Sequence, residues 1–256
     1  MSKVVAIIQA RMGSIRLPGK VMMEIVGKPM LWHIINRVQH SKLLDEIVVA
    51  TSTRKENEII AMLAKECGIG VFLGSDSDVL DRYYRCALES DAATVVRITA
   101  DDPFKDPMVV DLVVQTYLDH MGNVDYVSNT IKPTYPEGLD VEVFSYSALK
   151  SAWSNAKDAV DREHVTSYLW RNPHRFRLLN VENGLGDLSN LRWTVDTPED
   201  MAFARAVYER LIKEKEVFLM EDILSLLRKS PEIAKINKNV KQRFWATSLE
   251  KSMGGD

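Results

Sequence analysis

The sequence predicts an α/β fold: a single doubly wound, mainly parallel sheet with a small irregular β/α appendage. Apolar runs rich in β-branched residues indicate buried strands, and they do not alternate polar with apolar residues; they lie at 4–8, 46–51 and 94–98, with a shorter one at 70–73. Segments with helical spacing of apolar residues separate them, at 29–40, 56–67, 76–88 and 106–121. Strands that alternate with helices in this way indicate a parallel sheet covered on both faces.

The regular alternation of predicted strands and helices ends near residue 125. Further strands are predicted at 125–128, 139–144, 176–181 and 191–195. Further helices are predicted at 147–155, 161–171, about 197–213 and 221–228. Thr197 and Pro198 suit the N-cap and first position of the third of these helices. One domain is therefore expected over 1–236, followed by a polar C-terminal tail at 237–256, of which residues 245–256 are expected to be dispensable.

Composition narrows the class of protein. A chain of 256 residues that is 46% hydrophobic suits one large domain. A net charge of −3 and a pI near 6.0 argue against a nucleic-acid-binding protein. The sequence shows neither a signal-peptide pattern nor an apolar run long enough to enter a membrane. Two cysteines make no disulfide framework, so a reduced, cytoplasmic protein is expected.

A basic loop, residues 9–20, follows the first strand. Its two glycines, Gly13 and Gly19, allow the backbone to turn tightly. Its three cations, Arg11, Arg16 and Lys20, predict a binding site for an anion, above all a triphosphate. The spacing excludes a P-loop, because five residues separate the glycines and valine follows the lysine. The dinucleotide motif GxGxxG is absent as well. Arg16 could also be an ordinary solvated charge.

Other polar clusters follow the predicted strands, at 51–53, 74–75 and 99–103. The carboxyl ends of parallel strands share one edge of a sheet, so these clusters should meet the basic loop in one crevice. Asp101 and Asp196 are candidate magnesium ligands, although each could instead cap a turn or a helix. Thr51 and Ser52 could equally be strand-end hydroxyls. The sequence at 76–78, Asp-Ser-Asp, is interpreted mainly as the start of a helix.

The segment Ala10–Lys20, ARMGSIRLPGK, resembles the signature of the acylneuraminate and 3-deoxy-manno-octulosonate cytidylyltransferases, and is most similar to their spore-coat polysaccharide branch. The similarity extends through Asp196 and so covers most of the chain. It implies a magnesium-dependent nucleotidyltransferase that transfers CMP from CTP to an acidic sugar or sugar phosphate and releases pyrophosphate. The product would supply surface polysaccharide or glycan synthesis. The region 125–190 has more apolar and aromatic residues than a solvated insertion would need, which predicts a two-fold homodimer formed through part of it, as the resemblance also implies.

The resemblance assigns residues to roles. The implied catalytic residues are Arg11, Lys20, Asp101 and Asp196, and the two aspartates would hold Mg²⁺. The implied nucleotide-binding residues are Ala10, Arg11, Met12, Gly13, Ser14, Arg16, Lys20, Thr51, Ser52, Gly74, Ser75, Arg82, Thr99 and Ala100. Region 125–190 would contain the acceptor pocket and a subunit contact. The candidate acceptor-binding residues are Glu137, Asp140, Glu142, Arg162, Glu163 and His164, although a solvated hairpin and a charged helix start explain them equally well.

Two expectations about energetics follow. Lys20 is expected to be a solvated loop cation whose removal leaves the fold intact. Asp101 and Asp196 are expected to repel each other without the metal ion, so that replacing either by asparagine leaves the metal-free protein as stable or slightly more stable. Two alternative functions keep the fold: a nucleotidyltransferase for another nucleoside triphosphate, or a nucleotide-sugar-dependent glycosyltransferase with 76–78 as its metal motif.

Overall fold

The computed structural model of the protein describes residues 3–241, and its centre is a seven-stranded sheet in the order β5-β4-β1-β6-β8-β7-β9. The strands of this sheet are β1 (Val4–Gln9), β4 (Glu46–Ser52), β5 (Gly70–Gly74), β6 (Thr94–Thr99), β7 (Tyr126–Ser128), β8 (Glu142–Ser145) and β9 (Leu178–Asn180). A small antiparallel hairpin is made by β2 (Glu24–Ile25) and β3 (Lys28–Pro29). Within the described chain only β8 runs against its neighbours in the large sheet, which confirms the mainly parallel prediction.

Helices cover both faces of the sheet. They are α1 (Met30–Val38), α2 (Glu58–Glu66), α3 (Val79–Glu89), α4 (Pro107–Asp119), α5 (Tyr146–Asn155), α6 (Ala159–His164), α7 (Ser167–Trp170), α8 (Pro198–Leu211), α9 (Met220–Lys229) and α10 (Pro231–Ala234). The side chains of β1 alternate between two separate apolar layers. Ala6 and Ile8 belong to the layer that contains α1, α2, α4 and α8, and Val5 and Ile7 belong to the layer that contains α3 and α5. Burial on both faces explains why the middle residues of β1, β4 and β6 are almost all apolar, with Arg97 of β6 as the exception.

The helix ends follow the predicted capping chemistry. The Thr197 hydroxyl accepts from the backbone N–H of Asp200, the Asp200 carboxylate accepts from the backbone of Thr197, and Pro198 is the first helical residue of α8. At α3, Asp78 is the N-cap and its carboxylate accepts from Asp81 N at 2.9 Å, so the predicted start at 76 is three residues early. No helix within residues 3–241 has the length and apolar character needed to cross a membrane.

Three predicted elements differ in the structure. The predicted strand at 191–195 is an extended segment that forms one bridge, between Arg192 and Glu137, instead of joining the sheet. The predicted strand at 139–144 begins only at Glu142. The predicted helix at 161–171 is split into α6 and α7 by Val165, whose φ of +62° is outside the range of a helix and strained for a β-branched residue.

The first residues of the predicted tail at 237–256 pack against the domain. Asn237 is buried, and its amide group donates to the Arg192 carbonyl at 2.9 Å and to the Asp200 carboxylate at 3.0 Å. Residues 242–256, which include the segment 245–256 expected to be dispensable, lie outside the described part of the chain.

Candidate active site

The basic loop lies at the carboxyl end of β1, where the strand order reverses between β4 and β6. The Met12 carbonyl closes the loop, because it accepts from Ser14 N at 2.9 Å and Gly19 N at 3.0 Å. Gly19 has a φ of +71°, which glycine adopts without strain. A Cβ atom placed on Gly13 would meet no protein atom within 4 Å. The space beside Gly13 is thus open to a ligand that approaches the backbone closely.

Lys20 connects the three segments that form the centre of this edge. Its ammonium group donates to Asp101 Oδ2 at 3.2 Å, to Asp196 Oδ1 at 2.9 Å and to the Val195 carbonyl at 2.7 Å. Only 8% of Lys20 is exposed. Burial alone would lower the pKa of Lys20, but the two carboxylates raise it, so the ammonium form is retained. The expectation of a solvated loop cation is therefore wrong.

The two aspartates of the predicted metal site meet at this ammonium, although 95 positions separate them. The segments that carry the two aspartates are joined because the backbone N–H of Val195 donates to the Asp101 carbonyl at 2.8 Å. This hydrogen bond holds the segment before Asp196 against the loop after β6. Burial raises the pKa of Asp101, but the Lys20 ammonium lowers it to about 2. The expected repulsion between two unpaired carboxylates is thus wrong for this structure, because a cation lies between them.

Asp196 is also held from its other side. Arg16 contacts Asp196 Oδ1 at 2.8 Å, and Arg192 donates to Asp196 Oδ2 at 3.0 Å. The same Arg192 guanidinium donates to Asp200 and to both oxygens of Glu137. Arg192 is a buried residue that holds these carboxylates together and that sequence reasoning missed. Its spacing of four residues from Asp196 and eight from Asp200 was a visible signal.

Asp102, next to the candidate metal ligand, points into a different environment. Its carboxylate accepts from the buried Lys105 ammonium at 3.0 Å and from the Thr99 hydroxyl at 2.8 Å. It is 3% exposed, so Asp102 serves an internal ion pair. Thr99, a predicted nucleotide-binding residue, uses its hydroxyl in this contact, and Ala100 is buried beneath it.

The predicted nucleotide pocket contains two buried polar atoms that lack a partner among the described residues: Thr51 Oγ1 and Arg82 Nε. Arg82 also donates from Nη1 to the Ser75 carbonyl at 2.8 Å, so its guanidinium lies against this loop. Gly74 fits beside it, since a Cβ there would come within 3.0 Å of Arg82 Cγ. Buried polar groups are nearly always satisfied, so Thr51 Oγ1 and Arg82 Nε are exceptions within the described residues.

Asn57, a buried residue that sequence reasoning missed, connects the nucleotide pocket to the basic loop. Its amide oxygen accepts from Met12 N at 2.9 Å, and its amide nitrogen donates to the Ser52 hydroxyl at 2.6 Å. Both ends of the side chain are used, so the basic loop and the loop after β4 are held in one relative position. Ala10 is buried where the loop leaves β1.

The predicted acceptor residues do not form one open cluster. Arg162 is paired with Asp78 and turned toward α3, and Arg11 contacts Glu163 at 2.9 Å on the surface. Glu142 is 7% exposed and paired with Arg97, so its carboxylate is part of the interior. Burial and the neighbouring Arg97 lower the pKa of His164, which favours its neutral form.

Two acceptor candidates, Glu137 and Asp140, have carboxyl groups whose pKa values are raised. Burial raises the pKa of Glu137, and Arg192 opposes this only partly, so that the value is about 7. Burial and the nearby Asp102 likewise raise the pKa of Asp140 to about 7, with Lys105 acting in the opposite direction. Both carboxyl groups therefore hold a proton more readily than an exposed carboxylate does.

The candidate Mg²⁺ site consists of the carboxylates of Asp101 and Asp196. Among residues 3–241 no group of three or more His, Cys, Asp or Glu side chains is arranged to hold a metal ion. Two carboxylates suffice for Mg²⁺ when phosphate oxygens and water complete its coordination. Asp101 and Asp196 already share one cationic group, the Lys20 ammonium, so the donor set fits a cation bound together with a triphosphate.

Comparison with known proteins identifies the family. The cytidylyltransferase family model matches residues 5–236. The chain belongs to the cytidylyltransferase family. It is a nucleotidyltransferase, as its relatives and structural neighbours are. The spore coat polysaccharide biosynthesis protein SpsF of Bacillus subtilis is 31% identical over 91% of this chain and 98% of its own length. An uncharacterised protein of Methanocaldococcus jannaschii is 38% identical over 95% of this chain and 98% of its own length.

Solved structures agree with this cytidylyltransferase assignment. A cytidylyltransferase from Leptospira borgpetersenii superposes with a TM-score of 0.88 and 30% identity, covering 95% of this chain and all of its own. A CMP:2-keto-3-deoxy-manno-octonic acid synthetase complexed with CTP superposes with a TM-score of 0.63 and 19% identity, over 82% of this chain and 99% of its own. The second likeness shows the fold alone.

Proposed function

We propose that this cytidylyltransferase transfers CMP from CTP to an acidic sugar or sugar phosphate with release of pyrophosphate, in a magnesium-dependent reaction in the cytoplasm. The product would serve surface polysaccharide or glycan synthesis. The observation that carries the proposal is the Lys20 ammonium between Asp101 and Asp196, at the mouth of a glycine-containing basic loop. A triphosphate placed over this loop would have cations beside it and two carboxylates at its edge.

The residues divide the work. Arg11, Arg16 and Lys20 would place positive charge beside the triphosphate, which matters because charge grows on phosphoryl oxygens during transfer. Asp101 and Asp196 would hold Mg²⁺, which when bound supplies positive charge to the phosphate oxygens and orients the reacting groups. Thr51 and Arg82, proposed to lie beside the nucleobase, each have a buried polar atom with no partner in the described chain.

The glycosyltransferase alternative receives no support from its metal motif. Asp76 contacts Arg54 at 2.7 Å, and Asp78 caps α3 while pairing with Arg162. Both carboxylates are thus used by the protein itself. The choice of CTP over another nucleoside triphosphate is part of the proposal, and a comparison of four nucleoside triphosphates as substrates tests it.

Pyrophosphate release from a substrate panel tests the function. CTP, UTP, ATP and GTP are each mixed with Mg²⁺ and with sugar acids or sugar phosphates. CTP should support release with at least one acid or phosphate and exceed the other nucleotides at least tenfold, because a pocket built for one set of base hydrogen bonds rejects the others. Lys215→Ala, which removes an exposed lysine far from the site, is the matched control for Lys20 variants. Consumption of a nucleotide sugar without pyrophosphate release would instead support the glycosyltransferase.

A homodimer is proposed from the resemblance alone. The apolar residues of 125–190 do not argue for it, because they are buried within the chain's own core; they include Tyr126, Val127, Tyr135, Leu139, Val141 and Phe144. Light scattering at micromolar concentration should show twice the 29.1 kDa mass of the chain. A single 29.1 kDa species over that range would contradict the dimer.

A further inference from the structure

A buried carboxylate, that of Asp200, lies directly behind the candidate metal ligand Asp196. It accepts from the backbone N–H groups of Asp196 at 3.0 Å and Thr197 at 3.1 Å. It also accepts from two nitrogens of the Arg192 guanidinium, both at 3.0 Å. The same guanidinium donates to Asp196 Oδ2 at 3.0 Å. Asp200 therefore fixes Asp196 in two ways, because it holds both the backbone of Asp196 and the arginine that contacts the Asp196 side chain.

Asn237 adds two hydrogen bonds to this arrangement. Its amide nitrogen donates to Asp200 Oδ1 at 3.0 Å and to the Arg192 carbonyl at 2.9 Å. An amide nitrogen has two N–H bonds, so both are used here. Only 6% of Asn237 is exposed, and the two bonds are therefore shielded from water. Both acceptors belong to residues that contact Asp196 directly.

Apolar packing brings Asn237 to this position. The short helix α10 packs against α8 and α9, and its Ile233 is buried in the same apolar layer as Ile8 of β1. Asn237 follows three residues after the end of α10, and its carbonyl accepts from the backbone N–H of Val240 at 3.0 Å. The family model ends at residue 236, so the match to the family assigns no role to Asn237.

Loss of the Asn237 amide would affect Asp196 through both of its neighbours. The Arg192 carbonyl would lose its hydrogen bond from Asn237, and Asp200 Oδ1 would keep only the bond from Arg192 Nε. A buried acceptor that loses its donor costs free energy, so the groups around it move to recover a partner. Carboxylates that hold a metal ion depend on such outer hydrogen bonds for their orientation. The effect should therefore appear in metal binding at Asp196.

We propose that Asn237 is a positioning residue, which acts through Asp200 and Arg192 to keep the Asp196 carboxylate oriented for Mg²⁺. This inference rests on the proposed function, since it takes Asp196 as a ligand of the ion. Asn237 itself is buried behind Asp196, so its influence reaches the ion only through Asp196. The segment after α10, predicted from the sequence as a polar tail, is in this respect part of the active site.

Binding of Mn²⁺, a paramagnetic ion used in place of Mg²⁺, measures this role without turnover. Electron paramagnetic resonance reports the free Mn²⁺ in mixtures of enzyme, MnCl₂ and CTP that contain no acceptor sugar. Asn237→Leu keeps the approximate size of the side chain and removes its amide. It should raise the dissociation constant for Mn²⁺ by about tenfold, the lower end of the range for changes behind a metal ligand.

Steady-state kinetics supply a second measurement. In Asn237→Leu the Mg²⁺ concentration that gives half the maximal rate of pyrophosphate release should rise by a similar factor. Saturating Mg²⁺ should restore most of kcat, because the ligands are displaced rather than removed. At a temperature well below the Tm of the variant, a residue that only stabilises the fold would not cause a defect that excess Mg²⁺ corrects.

Two further variants make the result interpretable. Asn237→Ser keeps a hydroxyl donor and is the variant to use if Asn237→Leu does not fold; it should bind Mn²⁺ more weakly than the wild type does. Asn183→Leu is the matched control, because Asn183 is also buried and its amide nitrogen donates to two carbonyls, those of Thr134 and Gly186. Asn183→Leu should lower the Tm and leave the affinity for Mn²⁺ unchanged.

The possible outcomes separate the two proposals. Wild-type affinity for Mn²⁺ in folded Asn237 variants would overturn the positioning role and leave the proposed function in place. An equal loss of affinity in Asn183→Leu would do the same, because the loss would then follow from stability alone. A wild-type enzyme that lowers the free Mn²⁺ no further than CTP alone does would contradict the magnesium dependence in the proposed function, and the inference would fall with it.

Discussion

Replacing Lys20 is expected to reduce nucleotidyl transfer by about a hundredfold or more, the scale of losing a charge-stabilising group. The fold should also lose stability, because the ammonium group is buried and holds Asp101, Asp196 and the Val195 carbonyl together. Lys20→Met, which keeps most of the side-chain volume, should lower the free energy of unfolding by about 2–4 kcal/mol. This loss in the free energy of unfolding is near the lower end of the range for breaking a buried ion pair, because Asp101 is partly exposed.

Thermal and denaturant unfolding of Lys20→Met, with and without Mg²⁺, measure the second effect. The variant leaves two carboxylates with less positive charge between them, so added Mg²⁺ should raise its Tm more than that of the wild type. Lys215→Ala should change neither turnover nor stability by a comparable amount. Wild-type turnover in Lys20→Met would refute the phosphate role of the basic loop, whatever its effect on stability.

Replacing Asp101 or Asp196 by asparagine is expected nearly to abolish transfer, with losses of about a thousandfold in each single variant if both hold one ion. The losses should not multiply in the double variant, because either change disrupts the same site. Steady-state pyrophosphate release from the two single variants and the double variant measures this coupling. Losses that multiply would show that the aspartates act independently.

Stability distinguishes the two aspartates. Asp196→Asn should destabilise the protein more than Asp101→Asn, because Asp196 accepts from Lys20, Arg16 and Arg192 and is more deeply buried. Both variants should unfold at a lower temperature than the wild type in the absence of Mg²⁺. Asp119→Asn is the control, since Asp119 is exposed and accepts from Gln115 within a single helix. An unchanged or raised Tm for Asp196→Asn would contradict the ion-pair network around Lys20.

The sequence predicted the parallel sheet well because buried strands leave a local record. β1, β4 and β6 are mostly apolar in their central residues, since each faces a hydrophobic layer on both sides. The segment 191–195, before Asp196, was also predicted as a strand but does not join the sheet. Its backbone instead bonds to Glu137 and Asp101, partners that no local pattern identifies.

By itself the sequence determined which residue types stand at the carboxyl ends of the strands, and hence where a charged crevice had to form. Only the tertiary structure decided which charges meet. Asp101 and Asp102 are chemically identical neighbours, yet Asp101 contacts Lys20 and Asp102 contacts Lys105. Arg97 looks like any residue of a strand until Glu142 is placed against it from an antiparallel neighbour. Ion pairing depends on distance in space, and the chain brings partners together across 81 and 176 positions at Lys20, beyond the reach of any local pattern.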